Sequence, residues 1–278
     1  MHVSRQDMLL RGLDRESMVG LEIGPWFSPI APKAQGWQTF VVDFTTGEAL
    51  REKARNHEAA AIRAAAHLVE DVDVVSTGQN LGKPLLGLRP EGFDYLIASH
   101  AFEHVPDLIG LLEQCEEFIA PGGVISLAMP DLRFCFDYFK PPTMTDDLLL
   151  AHRQKRTRHA PETLFEAQAY QSWVGDSGAW TRQNPGAVNL VVTIEKAYKV
   201  YLKELDADQE SAPYIDAHTW IFMPANFCLV VLELNVLGLI NFRIRSIEDG
   251  EGSEFFVHWS PDVSSWTPPA STPSVSAC

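Results

Sequence analysis

The stretch Val19–Asp43, VGLEIGPWFSPIAPKAQGWQTFVVD, constrains the fold more than any other part of the chain. Its first apolar run, Val19–Ile23, has the length of a buried strand and is broken at Gly24-Pro25. A loop with a short helical turn follows, then a second apolar run, Phe40–Val42, that ends in Asp43. This is half of a nucleotide-binding α/β unit. A glycine directly after a buried strand lets the backbone approach a ligand, because no Cβ stands in the way, and Gly24 holds that position. An acid at the tip of the next strand, about 20 residues on, can accept both hydroxyls of a ribose, and Asp43 holds that one. Glu22 stands just ahead of the glycine.

Two nucleosides use such a unit. A dinucleotide needs G-x-G-x-x-G so that its pyrophosphate can settle on a helix N-terminus. Here Gly24 is followed by Pro25, Trp26, Phe27, Ser28 and Pro29, so the pyrophosphate seat is missing. S-adenosylmethionine carries no phosphate and needs close backbone approach and an acid on its ribose. The spacing favours it over NAD(P), which stays as the alternative together with a non-catalytic binding protein of the same fold.

The motifs GLEIGPWFSPIAPK and VVDF, with FDYLIASHAFEHVPD and APGGVISLAMPD further on, resemble those of class I S-adenosylmethionine-dependent methyltransferases, of the bacterial kind associated with glycan and secondary-metabolite pathways. The resemblance is strong over Met18–Asp137 and weak over the last strands, and it departs from the family at Pro25 and Ser28, where further glycines are usual. It implies an α/β, Rossmann-like seven-stranded sheet, S-adenosylmethionine as cofactor with Glu22, Gly24, Pro25 and Asp43 around it, and Ser76, Thr77 and Gly78 near the adenine. The acceptor implied is an oxygen or nitrogen of a small molecule, a sugar or glycan intermediate first and another secondary metabolite second.

The chain in order supports this architecture. Residues Ser4–Leu13 read as a short amphipathic helix burying Met8, Leu9 and Leu13. After Asp43 comes an Ala-, Arg- and Glu-rich helical segment, then a third strand over Val72–Val75. The run FDYLIASHA is a central parallel strand buried on both faces. Its carboxyl end must lie over the same crevice as Gly24, which brings Ser99, His100, Glu103 and His104 together. Leu108–Ile119 reads as a helix, Pro121-Gly122-Gly123 as a turn, and Val124–Met129 as the fifth strand, stopping before Asp131.

From residue 141 to 219 the pattern changes, and the segment is too long for an ordinary loop. It reads as a mostly helical lid, with an amphipathic helix over Val188–Leu205. The domain plan is therefore an N-terminal helix (1–15), a cofactor-binding core (16–140), the lid, a core return (220–260) with a helix from Pro224 and a closing hairpin over Ile240–Ile247 and Glu254–Trp259, and a Pro- and Ser-rich tail (261–278) expected to be disordered.

Methyl transfer from a sulfonium is an in-line displacement, and a hydroxyl or ammonium acceptor must lose its proton. His100 and His104 are the first candidates for that base; either could equally be structural. Asp131 follows, with a helix N-cap as its plain reading. His218, in DAHTW, could reach the acceptor from the lid side or simply pack there. The run HRQKRTRH (His152–His159) reads as a solvated helix face or as an attractor for a sugar phosphate. No His, Asp and Glu spacing stands out as a ligand set, so no metal is expected.

Composition bounds the partners. With 37 acids against 22 Lys and Arg, the formal charge of −15 repels a phosphate backbone, which argues against nucleic-acid substrates. Neither a signal peptide nor a membrane span is visible, and four cysteines without C-x-x-C spacing suit a reducing cytoplasm. The oligomeric state is left open.

Overall fold

The computed structural model of the chain describes residues 4–183, 186–207 and 214–261. The strands are β1 (Val19–Ile23), β2 (Gln38–Asp43), β3 (Val74–Val75), β4 (Phe93–Ser99), β5 (Ile119–Pro130), β6 (Ser172–Val174), β7 (Val188–Leu190), β8 (Phe242–Asp249) and β9 (Glu254–Pro261). Seven of them form one sheet in the order β3-β2-β1-β4-β5-β9-β8, and β6 pairs with β7 in a separate small hairpin. Strands β1 to β5 run parallel, while β9 is antiparallel to both β5 and β8. This is the α/β, Rossmann-like seven-stranded arrangement expected from the sequence.

The helices are α1 (Arg5–Leu9), α2 (Gly47–Arg55), α3 (Ala60–Ala65), α4 (Gly82–Leu88), α5 (Leu108–Phe118), α6 (Thr145–Arg153), α7 (Pro161–Ala169), α8 (Ile194–Leu205) and α9 (Pro224–Val236). Strand β4 shows why the sheet is covered on both sides. Successive side chains point to opposite faces. Leu96 and Ala98 join one apolar cluster with Leu112 of α5 and Phe227 of α9. Tyr95 and Ile97 join the other, with Met8 and Leu9 of α1 and with Trp37. Gly20 of β1 lies in register with Tyr95, and a Cβ on Gly20 would run into the Tyr95 ring. The ring is also tethered by its hydroxyl, 2.6 Å from Thr39 Oγ1.

Several element bounds differ from the sequence reading. Helix α1 is capped by Ser4, as the Ser4 side chain accepts from the Asp7 amide, but it stops at Leu9, and Leu13 is only half-buried. Strand β3 is confined to Val74–Val75. The turn expected at Pro121-Gly122-Gly123 is instead a bulge inside β5: Phe93 pairs with Ile119, the register then shifts, and Tyr95 pairs with Val124. Gly122 takes the left-handed φ of +84° that this irregularity needs. The helix expected over Val188–Leu205 begins only at Ile194, because Thr193 caps it by accepting from the Lys196 amide, and Val188–Leu190 pair with Ser172–Val174 as a hairpin. At the other end of the fold, α9 starts on Pro224 as expected and is followed by Gly238 at φ +70°. Of the closing strands, β8 is shifted two residues later than expected and β9 runs two residues past its expected end. From residue 262 onward the tail lies outside the described residues.

Candidate active site

In the sheet order, the chain leaves β1 toward β2 on one side and passes from β4 to β5 on the other, so the crevice at the carboxyl ends of β1 and β4 is the topological switch point. A cavity of about 470 Å³ opens there, within the roughly 300–1,000 Å³ typical of small-molecule sites. Of the residues singled out in the sequence, Gly24, Asp43, Ser76, Thr77, Gly78, His100 and His104 line it.

Gly24 sits at φ +66°, a conformation that disfavours any side chain, and its amide donates to the Val42 carbonyl at 2.9 Å. Asp43 is buried at the tip of β2, and its Oδ1 accepts from the Phe44 amide at 2.8 Å. Burial pushes its pKa up to about 6, against the opposing pull of the Phe44 amide and of Lys53. Lys53 itself stacks over the Trp26 ring, 4.8 Å from its centroid, at the cavity wall. An adenosyl group fits this end of the cavity: a glycine without a Cβ, a buried carboxylate aimed inward, and Gly78 at φ +91° beside Thr77.

Other candidates lie off the cavity wall. The Glu22 carboxylate turns back beneath the loop, accepting from the Ile30 amide at 2.7 Å and the Ala31 amide at 3.0 Å, with burial raising its pKa to about 7. It braces the loop that carries Gly24. Pro25 and Ser99 do not line the cavity, and the Ser99 hydroxyl accepts from Arg5. Asp131 is buried at the end of β5, caps the following turn by accepting from the Arg133 amide at 3.0 Å, and pairs with the Arg133 guanidinium. That is its plain structural reading, and it places the carboxylate away from the cavity.

At the other end of the cavity, histidines converge from distant parts of the chain. His100 follows β4 at φ +53°, the left-handed region that a non-glycine residue rarely enters. Its Nε2 lies 2.8 Å from Glu254, which is also paired with Arg5. His104 Nδ1 bonds Asp216 at 2.8 Å. Burial opposes a charge on His104, but the Asp216 bond and the nearby Glu103 carboxylate outweigh it and raise its pKa above the ordinary histidine value. His218 packs edge-on against His104, ring centroids 4.6 Å apart, and its Nδ1 bonds Asp137 at 2.6 Å. Burial penalises the Asp137 carboxylate, yet His218 and Lys140 together hold its pKa down at about 2. The segment carrying His218 is clamped by the Thr219 and Trp220 amides, both donating to the Glu103 carbonyl.

His218 therefore belongs to the histidine cluster without lining the cavity. The basic run His152–His159 is not one solvated face: His152 bonds Asp107, and His159 is buried between Tyr214 and Thr219. The sequence reading passed over Tyr214, Asp216 and Asp137. Asp216 had a usable signal, since it lies in the DAHTW motif that already marked His218. Asp137, inside the aromatic run FCFDYF, had none.

A family model described as a methyltransferase domain matches residues 8–183, well over half of the chain. Among solved structures, the chain is similar to a Listeria monocytogenes protein assigned as an S-adenosylmethionine-dependent methyltransferase, at 9% identity and a TM-score of 0.45, covering 92% of this chain and 96% of that one. It is also similar to the CcbJ methyltransferase from Streptomyces caelestis, at 15% identity and a TM-score of 0.42, covering 88% and 89%. The glycopeptide N-methyltransferase MtfA matches at 13% identity and a TM-score of 0.41, covering 88% and 84%. No curated protein matches the chain.

Proposed function

The chain belongs to the S-adenosylmethionine-dependent methyltransferases, and from that premise we propose that it methylates an oxygen or nitrogen of a small polar molecule, a sugar or glycan intermediate first and another secondary metabolite second. The observation that carries the reading is the two-ended cavity at the switch point, with a glycine and a buried carboxylate at one end and a histidine and carboxylate cluster at the other. The cofactor supplies an electrophilic methyl group on a sulfonium.

The protein's own part is to hold, orient and dehydrate. Gly24 lets the backbone close on the amino-acid end of the cofactor, Asp43 takes the ribose hydroxyls, and Thr77 and Gly78 border the base. Glu22 keeps the Gly24 loop in shape through its two amide bonds. Loss of the acceptor's proton falls to the cluster around His100 and His104. Within that cluster Asp216 fixes the orientation of the His104 ring. Segment 141–219 acts as a cover, a role supported by Tyr214 and Asp216, which line the cavity from it.

Acid surplus argues against nucleic acid as the acceptor. Among the described residues no helix is long and apolar enough to cross a membrane. We place the activity in the cytoplasm, where the buried thiols of Cys115 and Cys135 would stay reduced.

The test is calorimetric titration with S-adenosylmethionine, S-adenosylhomocysteine and NADH in parallel, followed by a screen of sugar and metabolite acceptors with labelled methyl. Binding of the two adenosyl ligands without NADH, and label transfer to a hydroxyl or amine, is the expected result. Label appearing only on nucleic acid or on proteins would overturn the acceptor class.

A further inference from the structure

Glu103 is fully buried, and among the described residues neither of its carboxylate oxygens has a hydrogen-bond partner. A buried carboxylate left in that state is strongly disfavoured unless a cation meets it. The side chains that do face it are imidazoles. His104 Nε2 and His218 Nε2 each lie 3.8 Å from Glu103 Oε1, and His100 Nδ1 lies 3.6 Å from the same atom. One ligand atom from each of Glu103, His104 and His218 falls within 4.8 Å of the others.

The outer partners of these imidazoles matter as much as the distances. His104 Nδ1 is bonded to Asp216 and His218 Nδ1 to Asp137. Each carboxylate fixes the orientation of its ring and turns Nε2 toward Glu103. A carboxylate on the far nitrogen is the arrangement that metal-ligating histidines generally show, because it orients the ring and raises its basicity. Three carboxylates (Glu103, Asp137 and Asp216) surround the point, against the single buried ammonium of Lys140, which pairs with Asp137. The local charge therefore favours a dication.

We propose that Glu103, His104 and His218 form a binding site for one divalent transition-metal ion of the zinc class. Two imidazole nitrogens and one carboxylate oxygen suit that class, and they leave a coordination position free. Tetrahedral ligands about 2.0–2.1 Å from a metal stand roughly 3.3 Å apart, so small side-chain rotations close the present gaps. Because His104 and Asp216 line the cavity, the ion would sit beside its acceptor end. There the ion would hold an acceptor oxygen and make its proton more acidic. This role rests on the methyltransferase reading; the binding of the ion does not.

The experiment uses the full chain stripped with a chelator and then dialysed free of it. Calorimetry with Zn²⁺ and visible spectroscopy with Co²⁺ read metal binding, and titration with S-adenosylhomocysteine on the same samples reads the cofactor site separately. One equivalent of Co²⁺ with the intense visible bands of a low-coordinate nitrogen and oxygen site is expected. Glu103→Gln and His218→Ala should lose it. Asp137→Asn, which leaves all three ligands in place, should weaken it about 10–100-fold. Circular dichroism confirms that each variant is folded, and if Glu103→Gln is not, His218→Ala and Asp137→Asn carry the test. Absence of stoichiometric binding by the wild type, or binding equally tight in the folded variants, overturns the proposal. S-adenosylhomocysteine binding without metal binding would leave the methyltransferase reading intact and overturn the ion site. Metal binding without S-adenosylhomocysteine would uphold the ion site and count against the cofactor assignment.

Discussion

Asp43→Asn should make the cofactor-free protein more stable while weakening its hold on S-adenosylmethionine. The folded structure raises the Asp43 pKa from 3.8 to about 6, chiefly by burial. A carboxylate raised in this way contributes stability that is fully present below about pH 3.8 and lost as the pH rises through about 6. At neutral pH the empty protein therefore carries the whole penalty. Two pKa units correspond to about 3 kcal/mol. Asparagine keeps the shape and keeps an oxygen for the Phe44 amide, but it has no charge to bury. The substitution should thus raise Tm by up to about 6–12 °C near pH 7.5, at 2–4 °C per kcal/mol for a domain of this size.

Binding should move the other way. Two ribose hydroxyls donating to a carboxylate make charge-assisted bonds, and losing that character costs about 2–3 kcal/mol, or roughly 30–150-fold in Kd. Wild-type affinity should also fall toward tenfold per pH unit below about pH 6, while the variant stays flat. Thermal melts of the empty protein and calorimetry from about pH 5 to 8 measure both effects. A lower Tm for the variant would refute the burial argument. An unchanged Kd would refute the ribose assignment. Glu22 supplies the internal contrast, since its pKa is raised further, to about 7, yet each of its oxygens holds a loop amide. Glu22→Gln turns an NH₂ toward one of those amides and leaves it unsatisfied, at about 1–3 kcal/mol, so no comparable gain in Tm should appear.

Two further substitutions separate structure from site. Gly20→Ala drives a methyl group into the tethered Tyr95 ring and should cost about 1–3 kcal/mol in urea unfolding, with cofactor affinity per folded molecule unchanged. Asp131→Asn removes the charge that Arg133 pairs with and should cost about 1.5–3 kcal/mol while leaving the S-adenosylmethionine Kd alone; a selective loss of turnover with normal stability would restore Asp131 to the chemistry.

What the sequence determined by itself was everything carried by short-range pattern. The first strand, its glycine break and the acid at the end of the second strand are adjacent in the chain, and strand period and turn chemistry fix them locally. The continuous apolar run of β4 announced burial on both faces, and so placed the sheet's centre and its carboxyl end. Elements whose limits depend on a partner strand were less legible. The bulge within β5 exists because β4 pairs on either side of it, and Val188–Leu190 leave the helical pattern because Ser172–Val174 offer them a ladder. The Asp131 cap after β5 is local as well, since the Arg133 amide and guanidinium it holds stand only two residues on.

The histidine cluster was legible only in part: the end of β4 announced His100, Glu103 and His104, and DAHTW marked His218, but not which carboxylates they meet. Glu103 and His104 are neighbours, but His218, Asp216 and Asp137 come from segments far along the chain, and no spacing rule relates them. They meet because the Thr219 and Trp220 amides close on the Glu103 carbonyl, and because α5 and α9 pack on the same face of the sheet. Local sequence fixes which backbone groups can turn and which side chains can be buried. Where charges from separate segments meet is set by long-range packing, and that is why the sequence showed the histidines of the acceptor end but not the Asp137 and Asp216 carboxylates that hold them.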